Sequence, residues 1–122
     1  MRNMFGIVAR TVAVVALSVP LFAHHGTASF DTDKTLMVKG VVTEYVWSNP
    51  HVLVKMDVKD ESGNMEPWVV EAWNPVTQTA NGWTKNSFKP GDEVEAEVVP
   101  AKNNQPVAEF RGKVLINGKQ LQ

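Results

Sequence analysis

The chain has 122 residues, of which 20% are charged and 43% hydrophobic, with a formal net charge of −1 and no cysteine. This length and composition predict one small globular domain. The absence of cysteine excludes disulfides, zinc–thiolate sites, thiol catalysis and lipid attachment to a cysteine. Any metal would therefore be held by histidine, methionine, a carboxylate or a chain terminus.

Residues 1–23 have the pattern of a secretory signal peptide. Arg2 and Arg10 precede an apolar stretch from Thr11 to Phe22, and Ala23 is a small residue suited to cleavage. The apolar run is shorter than the roughly 18 residues that span a bilayer, which favours a cleaved signal peptide. An uncleaved anchor is the less favoured alternative. The separated arginines favour the general secretory route over twin-arginine export. We predict a periplasmic protein with no membrane span after cleavage.

The remaining chain is acidic. Removal of residues 1–23 takes away two arginines and no acidic residue, so the formal net charge changes from −1 to −3. The other lysines and arginines are spread singly along the chain, which argues against a nucleic-acid partner. Residues 24–34 are predicted to be a flexible N-terminal segment, and residues 35–122 the folded domain.

The folded domain is predicted to begin with three strands. Residues 35–47 are rich in β-branched and aromatic side chains, and Gly40 among them suggests a bulge or a sharp bend. After Asn49-Pro50 a second strand alternates from His51, and a polar turn leads into a third strand over residues 65–73. The apolar face of the second strand consists of Val52, Val54, Met56 and Val58.

One short helix and two further strands follow. Asn74-Pro75 predicts a helix cap and first helical position, with the helix ending at Asn81-Gly82. A fifth strand over residues 106–116 contains Gly112 as another candidate bend, and Asn117-Gly118 is predicted to close the domain. In the fourth strand Val94, Ala96 and Val98 are predicted to face inwards and Glu93, Glu95 and Glu97 to face water.

Three strands, a helix and two strands follow one another in the order of an oligonucleotide/oligosaccharide-binding (OB) barrel. We therefore predict a mainly β fold, a small five-stranded OB-like barrel with one short helix between strands 3 and 4, preceded by a signal peptide. An open sandwich of two small sheets fits the same pattern and is the alternative.

Several short segments resemble a family of small secreted bacterial proteins known as domain of unknown function 6152. The resemblance covers essentially the whole chain, and it implies an exported, periplasmic protein of a Gram-negative bacterium with a small β-barrel. It supplies no established activity or ligand. The segments that carry it are Ala23-His24-His25, Phe30-Asp31, Lys39-Gly40, Trp47-Ser48-Asn49-Pro50-His51, Gly82-Trp83-Thr84 and Lys89-Pro90-Gly91-Asp92.

The three histidines, His24, His25 and His51, are the candidate metal ligands. Cleavage after Ala23 would give His24 a free amine beside its imidazole, a chelate that suits Cu(II) and is called a histidine brace. His25 or His51 would complete a nitrogen-rich site, and the affinity series favours copper over zinc. The alternative is that the histidine pair is solvated polar sequence and that His51 hydrogen-bonds only its own loop.

Aromatic residues suggest a second kind of site. In an OB-like barrel, aromatic side chains on the second and third strands can stack against sugars or bases. A small barrel also needs large side chains in its interior, so we assign three of the four tryptophans to packing. Trp68 and Trp73 are five residues apart, which puts at least one of them on an outer face. The candidate ligand-binding residues are Trp47, Asn49, Trp68 and Trp73.

These features predict a non-enzymatic periplasmic binding or interaction module, whose partner is a metal ion, a small ligand or an envelope protein. The sequence contains no nucleophile elbow, phosphate loop, HExxH element or paired-carboxylate signature, so catalysis is the less favoured class. Two alternatives stay open. One is a copper-dependent oxidative enzyme that uses the His24 brace, and the other is a structural envelope-associated protein without a metal.

Overall fold

The structure is a computed structural model that describes residues 29–121. Within this range the chain forms, in order, β1 (Leu36–Val46), β2 (Leu53–Lys59), β3 (Met65–Glu71), α1 (Pro75–Ala80), β4 (Glu93–Pro100), β5 (Val107–Ile116) and β6 (Lys119–Gln120). The predicted order of the first five strands and of the helix between β3 and β4 is confirmed.

The sheet closes into a barrel. Its strands are ordered β3-β2-β1-β4-β5-β6, and β3 also pairs with β5. This last pairing is parallel and joins Val69–Glu71 to Val107–Glu109, whereas the other neighbouring strands are antiparallel. A five-stranded barrel of OB-like order is therefore correct, and the closure excludes the open sandwich.

β1 is shared between two sides of the barrel. Leu36–Val41 pairs with β4, and Gly40–Val46 pairs with β2. The ladder with β2 shifts register between Val42 and Glu44. The bulge therefore lies beyond Gly40, which is needed for a different reason: a Cβ there would lie 2.8 Å from the carbonyl oxygen of Asp57.

Gly112 fulfils the prediction of a bend in β5. The β4–β5 ladder shifts register between Ala96 and Val98, and Gly112 lies opposite this shift against the carboxylate of Glu97. A side chain at position 112 would displace that carboxylate, which is the end of a flexible side chain.

The barrel interior is filled by the predicted apolar faces. Val52, just before β2, and Val54 on β2 are fully buried, and on β4 the three predicted inward residues are at most 2% exposed. One end of the interior is filled by aromatic rings, where Trp83 lies 5.1 Å from Phe88 and 5.2 Å from Phe110 between ring centroids. Burial of this surface is the main force that stabilises a domain without disulfides.

α1 begins and ends at the predicted residues. The side chain of Asn74 accepts a hydrogen bond of 2.9 Å from the backbone N–H of Thr77, and Pro75 follows in the first turn. Asn81 is the C-cap, and Gly82 has a φ of 87° that favours glycine.

The C-terminal end differs from the prediction. Asn117 and Gly118 have φ angles of 50° and 83°, which is the backbone of a tight hairpin turn. They reverse the chain instead of closing the domain, and Lys119–Gln120 pairs with Leu115 and Ile116 as β6. The prediction that Asn117-Gly118 closes the domain was therefore wrong.

Candidate functional site

His51 lies just before β2 and is aligned with the end of β3. The N–H of Val52 donates to the carbonyl of Trp73 at 3.0 Å, and the N–H of Ala72 donates to the carbonyl of Val52 at 2.8 Å. Val52 therefore faces both Ala72 and Trp73, as in a β-bulge, and the regular register ends at the pair Leu53–Glu71. His51 precedes Leu53 by two residues and shares its face, so Glu71 is the diagonal neighbour of His51 on that face.

The His51 imidazole and the Glu71 carboxylate form the central pair of the site. Nδ1 of His51 lies 4.0 Å from Oε2 of Glu71, and their side chains are 29% and 15% exposed. This distance is longer than a hydrogen bond. A carboxylate on the Nδ1 side favours the tautomer that carries its proton there, and Nε2 then has the electron pair that binds metals.

A second carboxylate lies next to this pair. Glu109 of β5 is the direct ladder partner of Glu71. Even so, no group of three or more histidine, aspartate or glutamate side chains in residues 29–121 is arranged to hold a metal ion. His51 can therefore supply one ligand, and a complete metal site needs ligands from elsewhere in the chain. The other two candidates, His24 and His25, lie outside the described residues.

The first described residues are attached to the end of β4. Phe30 forms an isolated bridge with Ala101 and is 2% exposed, and the N–H of Lys102 donates to the carbonyl of Ser29 at 2.9 Å. Ala101 in turn bonds to Val107, which pairs with Val69 of β3. The chain therefore enters at the part of the barrel where β3 and β5 meet, which is also where Glu71 lies.

The four candidate ligand-binding residues do not form one platform. Trp47 is half-buried with its ring centroid 6.1 Å from that of Tyr45, whereas Asn49 is exposed in the β1–β2 loop next to a cis proline. Trp68 packs partly against the core and also lines a cleft of about 1210 Å³. Trp73 is 48% exposed and lines a separate cavity of about 280 Å³. The backbone carbonyl of Trp73 accepts a hydrogen bond from Val52, the residue after His51.

A family model described as a family of unknown function (DUF6152) matches residues 12–108. The chain belongs to this family. The matched range of this DUF6152 protein covers β1 to the start of β5, and so contains His51 and Glu71. No curated protein matches the chain.

Tyr45 is a titratable residue whose environment is unusual. Burial raises the pKa of its hydroxyl, and a side-chain hydrogen bond with Ser87 acts weakly in the other direction. The hydroxyl donates to the carbonyl of Thr84 at 2.8 Å, and the ring lies 5.1 Å from that of Phe88. Tyr45 thus holds its proton firmly and links β1 to the segment after α1.

In this DUF6152 chain, no helix of residues 29–121 is long and apolar enough to cross a membrane. The sequence pattern identifies His51 as a candidate ligand but does not place Glu71 beside it. The signal that could have done so is the register of the β2–β3 hairpin, because its Lys59–Met65 pairing, followed back along both strands, pairs Glu71 with Leu53, two residues after His51.

Proposed function

We propose that this protein is exported to the periplasm and acts there as a non-enzymatic metal-binding module that holds copper(II) through His24, His25 and His51. The observation that carries the proposal is the position of His51. Its imidazole is partly exposed beside Glu71, at the part of the barrel where the chain enters the fold.

The His51–Glu71 geometry resembles that of metal-ligating histidines in general. Such histidines commonly place the nitrogen that does not bind metal next to a carboxylate, which fixes the tautomer and makes the ring a stronger ligand. Here the nitrogen nearer to Glu71 is Nδ1, at 4.0 Å. The proposed copper ligand is therefore Nε2 of His51.

The length of the entering chain is compatible with a shared site. Phe30, Ala101, Val107 and Val69 lie on successive neighbouring segments and β3 pairs with β2, so four strand spacings, roughly 19 Å, lead to the segment that holds His51. The four residue steps from His25 to Ser29 extend by up to about 14 Å. The side chains of His25 and His51 add to this reach, which supports a site completed by the N-terminal histidines.

Signal cleavage during export would supply the remaining ligand, and the nitrogen ligands account for the preference for copper. Signal cleavage after Ala23 would free the amine of His24, which chelates together with its own imidazole. A site of nitrogen ligands binds Cu(II) more strongly than other divalent first-row metals, zinc included. No cysteine is present to compete for the metal.

Copper titration of the exported protein and its variants tests this proposal. We expect one equivalent of Cu(II) to bind to the unmodified chain, and His24→Ala or His51→Ala to abolish the stoichiometric site. Glu71→Gln should weaken copper binding by about tenfold, because it removes the carboxylate beside Nδ1. Glu109→Gln is the matched control, since it changes the neighbouring ladder partner, and we expect less than about a twofold effect.

Two results would contradict the proposal. Copper binding that survives both histidine substitutions would mean that the metal is held elsewhere or nonspecifically. Oxygen consumption by the copper-loaded protein with ascorbate, above that of the same copper in buffer, would favour the oxidative enzyme instead of a binding module.

A further inference from the structure

A broad cleft lies between the first half of β1 and the β2–β3 hairpin. Its volume is about 1210 Å³, and it is lined by the start of β1, the end of β2, the start of β3, the start of β4, the end of β5 and the Asn117-Gly118 turn. His51 and Glu71 do not line it.

One wall of the cleft is a strand edge. Leu36–Lys39 pairs with β4, but the β2 ladder begins only at Gly40. Val42 donates its N–H to Asp92 and accepts from the N–H of Gly91, so its backbone groups point to the β4 side. Backbone groups alternate between the two edges of a strand, and those of Met37 therefore point into the cleft, where the described chain offers no strand to pair with them.

Exposed apolar side chains are concentrated on this cleft. In residues 29–121, six large hydrophobic side chains are exposed, and four of the six line it. A concentration of this kind distinguishes an interaction surface from single scattered apolar residues. The four, with their exposed fractions, are Leu36 (41%), Met37 (53%), Val41 (38%) and Met65 (52%).

The charges around the cleft indicate the chemistry of its partner. Six carboxylates and two lysines line it, and one of the lysines, Lys39, already pairs with Glu95 at 3.1 Å. A second copy of this acidic chain would bring like charges together, whereas a cationic partner would be attracted. The carboxylates belong to Asp57, Asp60, Glu61, Glu66, Glu93 and Glu95, and the second lysine is Lys59.

We propose that this cleft binds an extended, cationic peptide segment, which adds to the β1 edge as a further strand. The backbone groups of Met37 pair with the peptide backbone, as in other cases of strand addition. Side chains of an extended peptide alternate in direction. Apolar side chains of the peptide then pack on Leu36 and Met65, and basic side chains face the carboxylates.

The proposal is tested with labelled eight-residue peptides and the full-length protein, by fluorescence anisotropy. The probes are a peptide of alternating lysine and valine, its glutamate–valine counterpart, and a lysine–valine peptide with two central prolines that cannot pair as a strand. We expect the first probe to bind, with an affinity that falls as salt rises. We expect at least about tenfold weaker binding of the other two.

Two sets of variants locate the binding. Met37→Pro removes the N–H at the strand edge and should abolish binding, whereas Met37→Ala keeps that N–H and should reduce affinity by less than about fivefold. Glu61→Lys combined with Glu93→Lys should weaken the lysine–valine peptide by about tenfold. Asp33→Lys, a single charge reversal outside the cleft, is the control and should change the affinity by less than about twofold.

Circular dichroism shows whether Met37→Pro folds. If it does not fold, the Glu61 and Glu93 charge variants test the peptide-binding proposal on their own. Equal affinity for the acidic and basic peptides, or no effect of the Glu61 and Glu93 reversals, would overturn the proposal. A stable dimer in light scattering that dissociates in the charge variants would also overturn it, because the cleft would then accept a second copy. His51→Ala should leave peptide binding unchanged, so the copper proposal and this one can fail separately.

Discussion

Gly40 lies where β1 passes closely over β2. A Cβ at this position would lie 2.8 Å from the Asp57 carbonyl oxygen, 2.9 Å from Cγ2 of Val58 and 3.0 Å from Sδ of Met56. The nearest of these atoms belongs to the backbone, which cannot rotate away as a side chain can. The glycine therefore permits a close strand contact at the point where β1 pairs with both β2 and β4.

We expect Gly40→Ala to lower the free energy of unfolding by about 1–3 kcal/mol, because the added methyl group overpacks the contact. Urea denaturation measures the change. Lys39→Ala is the control on the adjacent, solvent-facing position, and it should cost less than about 0.5 kcal/mol. An equal loss of unfolding free energy in the two variants would show that the close contact at Gly40 has no special effect on stability.

Tyr45 gives a prediction at alkaline pH. Its pKa is raised above the ordinary value of 10.0 by burial, so the folded protein keeps the phenol proton at a pH where the unfolded chain loses it. Stability associated with this residue is therefore present below about pH 10 and is lost as the pH rises above it. Tyr45→Phe should remove this part of the alkaline loss, as measured by thermal unfolding from pH 8 to 11. An unchanged pH profile in the variant would contradict the assignment.

Residue types alone identify only one of the two central residues of the candidate site. His51 is visible as a candidate ligand because histidine is rare in this chain, with three copies. Its neighbour Glu71 is twenty positions away and becomes a partner only through the hairpin register. That register depends on the length of the β2–β3 turn, and several lengths fit the polar residues 60–64.

At the scale of elements, α1 illustrates a segment specified by local signals. The side chain of Asn74 satisfies the N–H of Thr77 at 2.9 Å, and Pro75 occupies a position where it loses no helical hydrogen bond. Because these effects act within a few residues, the sequence predicts both ends of the helix correctly.

The Asn74 cap can be tested directly. Asn74→Ala leaves the N–H of Thr77 without its partner and should lower the free energy of unfolding by about 1 kcal/mol. Asn74→Asp keeps a side-chain acceptor at the same place and should retain most of the stability. Chemical denaturation of both variants provides the comparison, and a loss as large in Asn74→Asp as in Asn74→Ala would refute the capping role.

β6 is the element that the sequence interpretation missed. The Asn117-Gly118 pair has the residue types of a tight hairpin turn, but only Lys119–Gln120 pairs beyond it. A two-residue strand has no periodicity of its own, so the sequence pattern does not show that the chain reverses and pairs again after the turn. The long strands are predictable because β2 and β4 alternate over seven or more residues, and β1 is rich in β-branched residues.

At the scale of the whole molecule, the β3–β5 contact closes the barrel. It joins residues that are about 38 positions apart, and it consists of three parallel pairs centred on Val70 and Ala108, both fully buried. The order of elements predicts this closure by analogy with OB-like barrels. Nothing local in β3 or β5 specifies it, because parallel pairing depends on how the whole sheet coils.

Ala108→Leu should open this contact, since the larger side chain has no space beside Val70. We expect a loss of about 1–3 kcal/mol in the free energy of unfolding and faster hydrogen exchange at Val69–Glu71. Val76→Leu, at a position that is 80% exposed, is the control and should change stability by less than about 0.5 kcal/mol. Unchanged exchange at β3 in Ala108→Leu would show that closure does not depend on this contact.

Native mass spectrometry of the exported protein tests the proposed copper site most directly, because one spectrum reports both the N-terminal residue and any bound metal. We predict a chain that begins at His24 and carries one copper ion, and a His51→Ala variant with the same N-terminus and no copper. A chain that begins at another residue, or a chain that begins at His24 but takes up no added copper, would contradict the proposed function.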